Sequence, residues 1–303
     1  MSDFLERVAS APISWGVCEV PGWGAMLPAE RVLGEMSGLG LRGTELGAPG
    51  FLPSSAAGIR ALLDRYGMSL LGAFTPVVPH DPALVEASMA NAREVAGLLR
   101  DAGATMFISA PVMDPDWSVP RPLDADERRR MLGTLARLDD LCAEFGLTQV
   151  LHPHVQTLVE TADDVAAVLD GCDVRWCLDT GHLAIGGVDP VAFARDAVDR
   201  VGHVHLKDVR MALAPAVLRR ETSIMAATQA GLFTPLGQGD VDIAGVVETL
   251  EAAGYRGRYV IEQDTALTTG APAAGEGPVT QVRASLDYLR DVVAPRLSPG
   301  TPR

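Results

Sequence analysis

From end to end the chain alternates between short runs that read as β-strands and longer amphipathic runs that read as helices. The strand-like runs fall at 11–16, 41–47, 69–77, 105–112, 148–154, 175–181, 202–208 and 258–264. Helical runs lie near 28–39, 55–66, 83–102, 124–145, 162–170, 189–200, 242–253 and 276–292. Gly103 and Gly146 suit the left-handed position that closes a helix. Eight such units on 303 residues argue for α/β class and a single (β/α)8 barrel over 1–293, with a flexible tail over 294–303. An open doubly wound sheet is the competing architecture, but no GxGxxG follows the first strand. The longest irregular stretch, about 210–240, reads as a functional loop with an extra helix near 214–230. The Gly/Ala/Pro-rich run at 269–278 reads as a loop after the eighth strand.

Composition excludes several classes. At 48% hydrophobic and 21% charged residues the chain is globular rather than disordered. A net charge of −14 repels phosphate backbones and anionic lipid, so neither nucleic acid nor membrane is an expected partner. Cys18, Cys142, Cys172 and Cys177 form no CxxC pair and read as reduced thiols of a cytoplasmic protein. The N-terminus lacks the basic start and apolar run of a signal peptide, and no apolar stretch reaches the roughly 18 residues of a membrane span.

In a barrel of this kind the chemistry gathers at the C-terminal strand ends. Five of the six histidines lie in or just after the fifth to seventh strands: His152, His154, His182, His203 and His205. Glu45, Asp179, Asp208, Glu262 and Asp264 occupy the same ends. Imidazoles and carboxylates where Val, Ile and Leu are usual must be paired or metal-bound. His203 and His205 share one face, which Lys207 continues. One of these histidines with Asp179 and Glu262 makes a mixed nitrogen and oxygen set suited to Mn2+, Co2+, Zn2+ or Fe2+. His203 reads better as a core histidine one layer below, and Cys177 as packing. Lys207 is the sole lysine among 25 Lys and Arg residues. An ammonium can exchange a proton; a guanidinium cannot. His182 is open between hydrogen bonding in its loop and substrate contact, and Trp15 between core and pocket wall. His80, in PHDP, reads as a surface turn. The few basic residues at the rim, Arg42, Lys207 and Arg210, favour an unphosphorylated substrate.

Seven segments carry a resemblance: APISW, RGTELG, HPHVQTLVET, LDTGHLAIGGVDP, HVHLKDVR, GLFTPLGQGDVDI and GYRGRYVIEQD. Together, in this order, they resemble the sugar-phosphate isomerase/epimerase superfamily of xylose isomerase-like barrels, and within it the inosose dehydratase branch. The resemblance implies a divalent-metal-dependent lyase that removes water from a keto-polyol such as 2-keto-myo-inositol through an enediolate. The alternative is an isomerase or epimerase using the same enediolate. One divalent ion is implied, Mn2+ or Co2+ first, with Zn2+, Fe2+ or Mg2+ as alternatives. Its implied ligands are Glu160, Asp179, His205 and Glu262, with His152 or His154 as substitutes for Glu160. His154, Glu45 or a carboxylate at the end of the eighth strand is the implied base and Lys207 or His182 the proton donor. Trp15, His152, Asp208, Arg210 and Asp264 are expected around a polyhydroxylated ketone, and a homo-oligomer is the usual assembly. Two departures lie near the mouth: Gln156 stands where the family pattern has glycine, and Thr265-Ala266-Leu267 replaces a proline-containing stretch. A strand-five histidine in place of the epimerases' glutamate leans toward the dehydratase.

Overall fold

A computed structural model describes residues 3–297. Its strands are β1 (Val8–Ser10), β2 (Gly43–Thr44), β3 (Ser69–Leu70), β4 (Gly72–Val77), β5 (Met106–Pro111), β6 (Thr148–Leu151), β7 (Arg175–Asp179), β8 (Val201–Leu206), β9 (Asp208–Val209), β10 (Phe233–Thr234) and β11 (Tyr259–Ile261). Nine form a parallel sheet in the order β3-β2-β1-β11-β8-β7-β6-β5-β4. The two ends of that order, β3 and β4, are halves of one strand broken at Leu71. Leu71 donates its N–H to Thr44 O at 2.8 Å and accepts from Met106 N at 3.0 Å, so one residue joins the edges and closes the barrel. The eight-unit expectation therefore holds, with helices packed around the outside.

Local chemistry explains where the sequence pattern and the structure part. The run 11–16 is not the first strand. Pro12–Trp15 form a 3-10 turn closed by Gly16 in the left-handed region, and β1 lies just before it. The strand expected to reach 181 stops at Asp179, whose side chain accepts from His182 N and caps a short helix, Thr180–Ile185. The extra helix near 214–230 is two, Ala214–Leu218 and Ile224–Gln229, held above the barrel by the antiparallel pair β9–β10. The helix expected over 276–292 is α-helical over Pro278–Tyr288 and widens to a π turn over Leu289–Val293. Ala294–Leu297, assigned from sequence to the tail, form a 3-10 turn with Ala294 buried, and 298–303 lie outside the described residues. The main core packs helices against the barrel exterior, while Ala9, Ala11, Leu71 and Val260, and separately Ile108, Val150 and Cys177, form small clusters of their own. No helix among the described residues is long and apolar enough to cross a membrane.

Candidate active site

Four adjacent strands, β6, β7, β8 and β11, each deliver one side chain to the same point at their C-terminal ends. His152 follows β6, Asp179 ends β7, His205 lies in β8 in register with Asp179, and Glu262 follows β11. One ligand atom from each of the four lies within 4.8 Å of the others. His152 Nε2 is 3.1 Å from His205 Nδ1 and 3.4 Å from Asp179 Oδ2. His205 Nδ1 is 3.7 Å from Asp179 Oδ2 and 2.5 Å from Glu262 Oε2. These separations bracket the roughly 3.0–3.4 Å between ligands held about 2.1 Å from one ion.

The donor set fits a divalent cation. Asp179 Oδ2 and Glu262 Oε2 are buried and make no well-aligned hydrogen bond, although His205 Nδ1 and Lys207 Nζ lie close by, so both retain lone pairs turned toward the two imidazoles. The other Asp179 oxygen accepts from His182 N at 2.7 Å, which fixes the rotamer. His205 Nε2 is 2.8 Å from Glu45 Oε1, so the Nε2 proton faces Glu45 and Nδ1 faces the cluster. Burial would push the His205 ring down, but Cys177, Glu262 and Glu45 hold it well above its ordinary value. The field that favours a proton there favours a cation equally.

Beside the cluster stands the lone lysine. Lys207 is 1% exposed, with Nζ 2.9 Å from Asp264 Oδ1, 3.4 Å from Glu262 Oε2, 3.6 Å from Asp179 Oδ2 and 3.1 Å from His182 Nε2. Burial opposes its charge, but Asp179, Asp264 and Glu262 outweigh burial and raise it above the usual lysine range. Lys207 is therefore a fixed ammonium. Its stem runs against Gly181, where a Cβ would sit 2.7 Å from Lys207 Cγ, so the glycine of LDTGH makes room for the lysine of HLKD.

The other expected residues divide by position. His154 Nδ1 donates to Val155 O at 2.6 Å, which leaves Nε2 free. Burial, His152 and Lys207 lower its ring to about 3. The His154 and His182 rings lie against each other with centroids 3.9 Å apart and planes tilted by 38°. Glu45 is not open to the pocket: its Oε1 takes His205 and, at 2.9 Å, His203, which lies below the cluster as expected. Glu160 is outside the cluster. Arg220 binds both its oxygens and Gln156 N donates to Oε1 at 3.0 Å, while His152 occupies the fourth position. Trp15 is fully buried in the core and donates to Glu35 at 2.8 Å. Asp208 accepts from the backbone N–H groups of Val209, Gly237, Gly239 and Val241, so it holds the 237–241 loop and has little left for a ligand. Arg210 is exposed and donates to Gly231 O at 2.8 Å. Asp264 faces Lys207, and burial raises its carboxyl against the pull of that ammonium.

Sequence reasoning missed the aromatic side of the pocket. Phe74 on β4 is 37% exposed at the barrel mouth, edge-on to His152 at 5.5 Å. Trp117 stacks on it at 6.0 Å and meets His154 edge-on at 6.0 Å. Phe233 lies 5.0 Å from Lys207 Nζ. The alternation of β4 could have pointed Phe74 inward; nothing local marks Trp117.

A metal-competent cluster at the strand ends of a closed (β/α)8 barrel defines a class, and comparison agrees. The chain belongs to the xylose isomerase-like TIM barrel family, whose model matches residues 33–292. Its similar relatives include an inosose dehydratase of Geobacillus kaustophilus (strain HTA426), 30% identical across 95% of this chain and 94% of the relative. The rhizopine catabolism protein MocC of Rhizobium meliloti is 34% identical across 85% and 81%. Among solved structures, a probable 3-DHS dehydratase of Bacillus anthracis superposes with a TM-score of 0.70 at 15% identity, over 94% of this chain and 98% of that one. An L-ribulose 3-epimerase gives 0.68 at 16%, over 98% and 99%; these two likenesses show the fold. With such relatives the chain is an enzyme of the family's dehydratase and isomerase group.

Proposed function

We propose that this chain removes water from a cyclic keto-polyol such as 2-keto-myo-inositol, with one divalent cation, Mn2+ or Co2+, held by His152, Asp179, His205 and Glu262. The observation that carries the reading is the convergence of two buried carboxylate oxygens and two imidazole nitrogens within 4.8 Å of one another, with a fixed ammonium alongside. The relatives named inosose dehydratase support the substrate class. When bound, the cation supplies Lewis-acid charge beside the ketone oxygen, which acidifies the neighbouring C–H.

The chain's own groups do the rest. His154 is unprotonated at neutral pH with Nε2 free, so it accepts the α-proton. Lys207 keeps its charge and has Asp264 to steady it, so it hydrogen-bonds the departing hydroxyl, which leaves as water with the proton taken up by His154. His182, neutral and 3.1 Å from Nζ, helps hold the ammonium in place. Glu45 touches no substrate; it fixes the orientation of His205. Phe74 and Trp117 shield one side from water.

The test uses metal-stripped protein reloaded with Mn2+, Co2+, Mg2+ or Zn2+ and mixed with 2-keto-myo-inositol. Metal content is measured separately on each sample. Ultraviolet absorbance follows the unsaturated dione, and proton NMR in D2O follows exchange at the α-carbon. Dione formation that needs metal and disappears in Glu262→Gln supports the proposal. Exchange without dione would refute water loss and turn the assignment to an isomerase or epimerase. Loaded protein giving neither signal would refute the substrate class.

A further inference from the structure

Among the described residues three that are not glycine have positive φ: Trp117 at 57°, Gln156 at 67° and Arg220 at 60°. Side chains disfavour this left-handed region, and such residues persist where their surroundings over-determine them. The three are far apart in sequence yet joined in space. Gln156 Nε2 donates to Trp117 O at 2.9 Å. Gln156 N donates to Glu160 Oε1 at 3.0 Å, and Arg220 Nη1 donates to that same oxygen at 2.9 Å. A single chain of bonds thus ties the loop after β5, the loop after β6 and the helical insertion after β9.

The chain of bonds ends on the pocket wall, because Trp117 stacks on Phe74 and meets His154. Glycine at 156 would adopt the same backbone without strain. It would lack the amide that fixes the Trp117 carbonyl. We propose that Gln156 is a positioning residue: anchored by Glu160 and Arg220, it sets Trp117 as the wall on which the C–H face of a cyclic polyol packs. Aromatic faces are negative and ring C–H groups slightly positive, so this contact selects a flat-lying ring. The inference rests on the keto-cyclitol reading of the pocket.

Tryptophan fluorescence tests the positioning without the reaction. Trp15, Trp23 and Trp176 are at most 6% exposed, so acrylamide quenching reports mainly on the half-buried Trp117. Two variants are compared with the parent. Gln156→Gly removes the strain and the amide. Gln156→Asn tolerates the left-handed backbone, but its amide is one methylene too short to reach Trp117. In both, quenching rises and the KM for 2-keto-myo-inositol increases about fivefold, as for one lost hydrogen bond. The kcat stays within about twofold, and Gln156→Gly melts no lower than the parent. Parental quenching in both variants overturns the inference, as does a fall in kcat with KM unchanged. A parent that turns over no keto-cyclitol overturns the functional reading instead, and the quenching result still decides whether Gln156 positions Trp117.

Discussion

Replacing Glu45 by Gln separates what holds the barrel from what prepares the cluster. Glu45 is 4% exposed and Oε1 accepts from His203 at 2.9 Å and His205 at 2.8 Å. Glutamine keeps the shape and an accepting oxygen but removes the charge. A bond to a charged acceptor contributes about 1.5–3 kcal/mol against about 0.5–1.5 for a neutral one, so two bonds lose about 2 kcal/mol together. Relief from burying a charge offsets part of this, leaving a net loss of about 1–2 kcal/mol. The effect on metal is distinct, because one of the two bonds leads to the cluster. With His205 less firmly oriented and less basic, affinity falls about 10–100-fold, or about 1.4–2.7 kcal/mol. His203→Gln breaks the other bond and serves as the control: comparable loss of stability, metal affinity within about threefold. Calorimetric titration of metal-stripped protein with Mn2+, alongside urea denaturation, measures both quantities. If Glu45→Gln binds Mn2+ as the parent does, or His203→Gln loses as much affinity, the reasoning fails.

Two other substitutions probe separate features. Gly181→Ala places a Cβ 2.7–3.0 Å from three carbons of Lys207 and must displace that stem. It should destabilise by about 1–3 kcal/mol in urea and lower kcat at least about tenfold by moving the ammonium; parental values for both would refute the packing argument. His80 is 3% exposed with Nδ1 buried and unpartnered, and burial lowers its ring below the ordinary value. The fold thus prefers the neutral ring. Its contribution is complete above an unfolded value of about 6.5 and is lost as pH falls through the lower folded value. Melting temperature should therefore fall less for His80→Gln than for the parent between about pH 7 and pH 5; identical acid slopes would contradict this.

The alternation of strand and helix was legible along the chain because hydrophobic period follows secondary structure directly. It failed where a short polar device overrode the pattern. APISW looks extended, but Pro12 and the left-handed Gly16 turn it, and the true β1 is only three residues long. Asp179 ends its strand because it caps a helix, an event that LDTGH does not announce. In the site, two-residue spacing put His203, His205 and Lys207 on one face, yet depth along the barrel decided their separate partners. Asp208 looked like a pocket acid because three of its four amide partners lie about thirty residues on, at Gly237, Gly239 and Val241. His80 read as a surface turn and is buried, with Arg130 Nε donating to its carbonyl at 2.9 Å. Glu160 and His152 could not be ranked from sequence, since the choice depends on Arg220, sixty residues away.

Asp179 divides its two oxygens between tasks: one is fastened to a helix amide, the other is turned toward the cluster. A ligand tethered this way cannot swing out to water when no ion is bound. A cation entering this cluster would meet a carboxylate already in place, so loading would be a docking event rather than a folding one. Selectivity among cations then falls to size and preferred coordination.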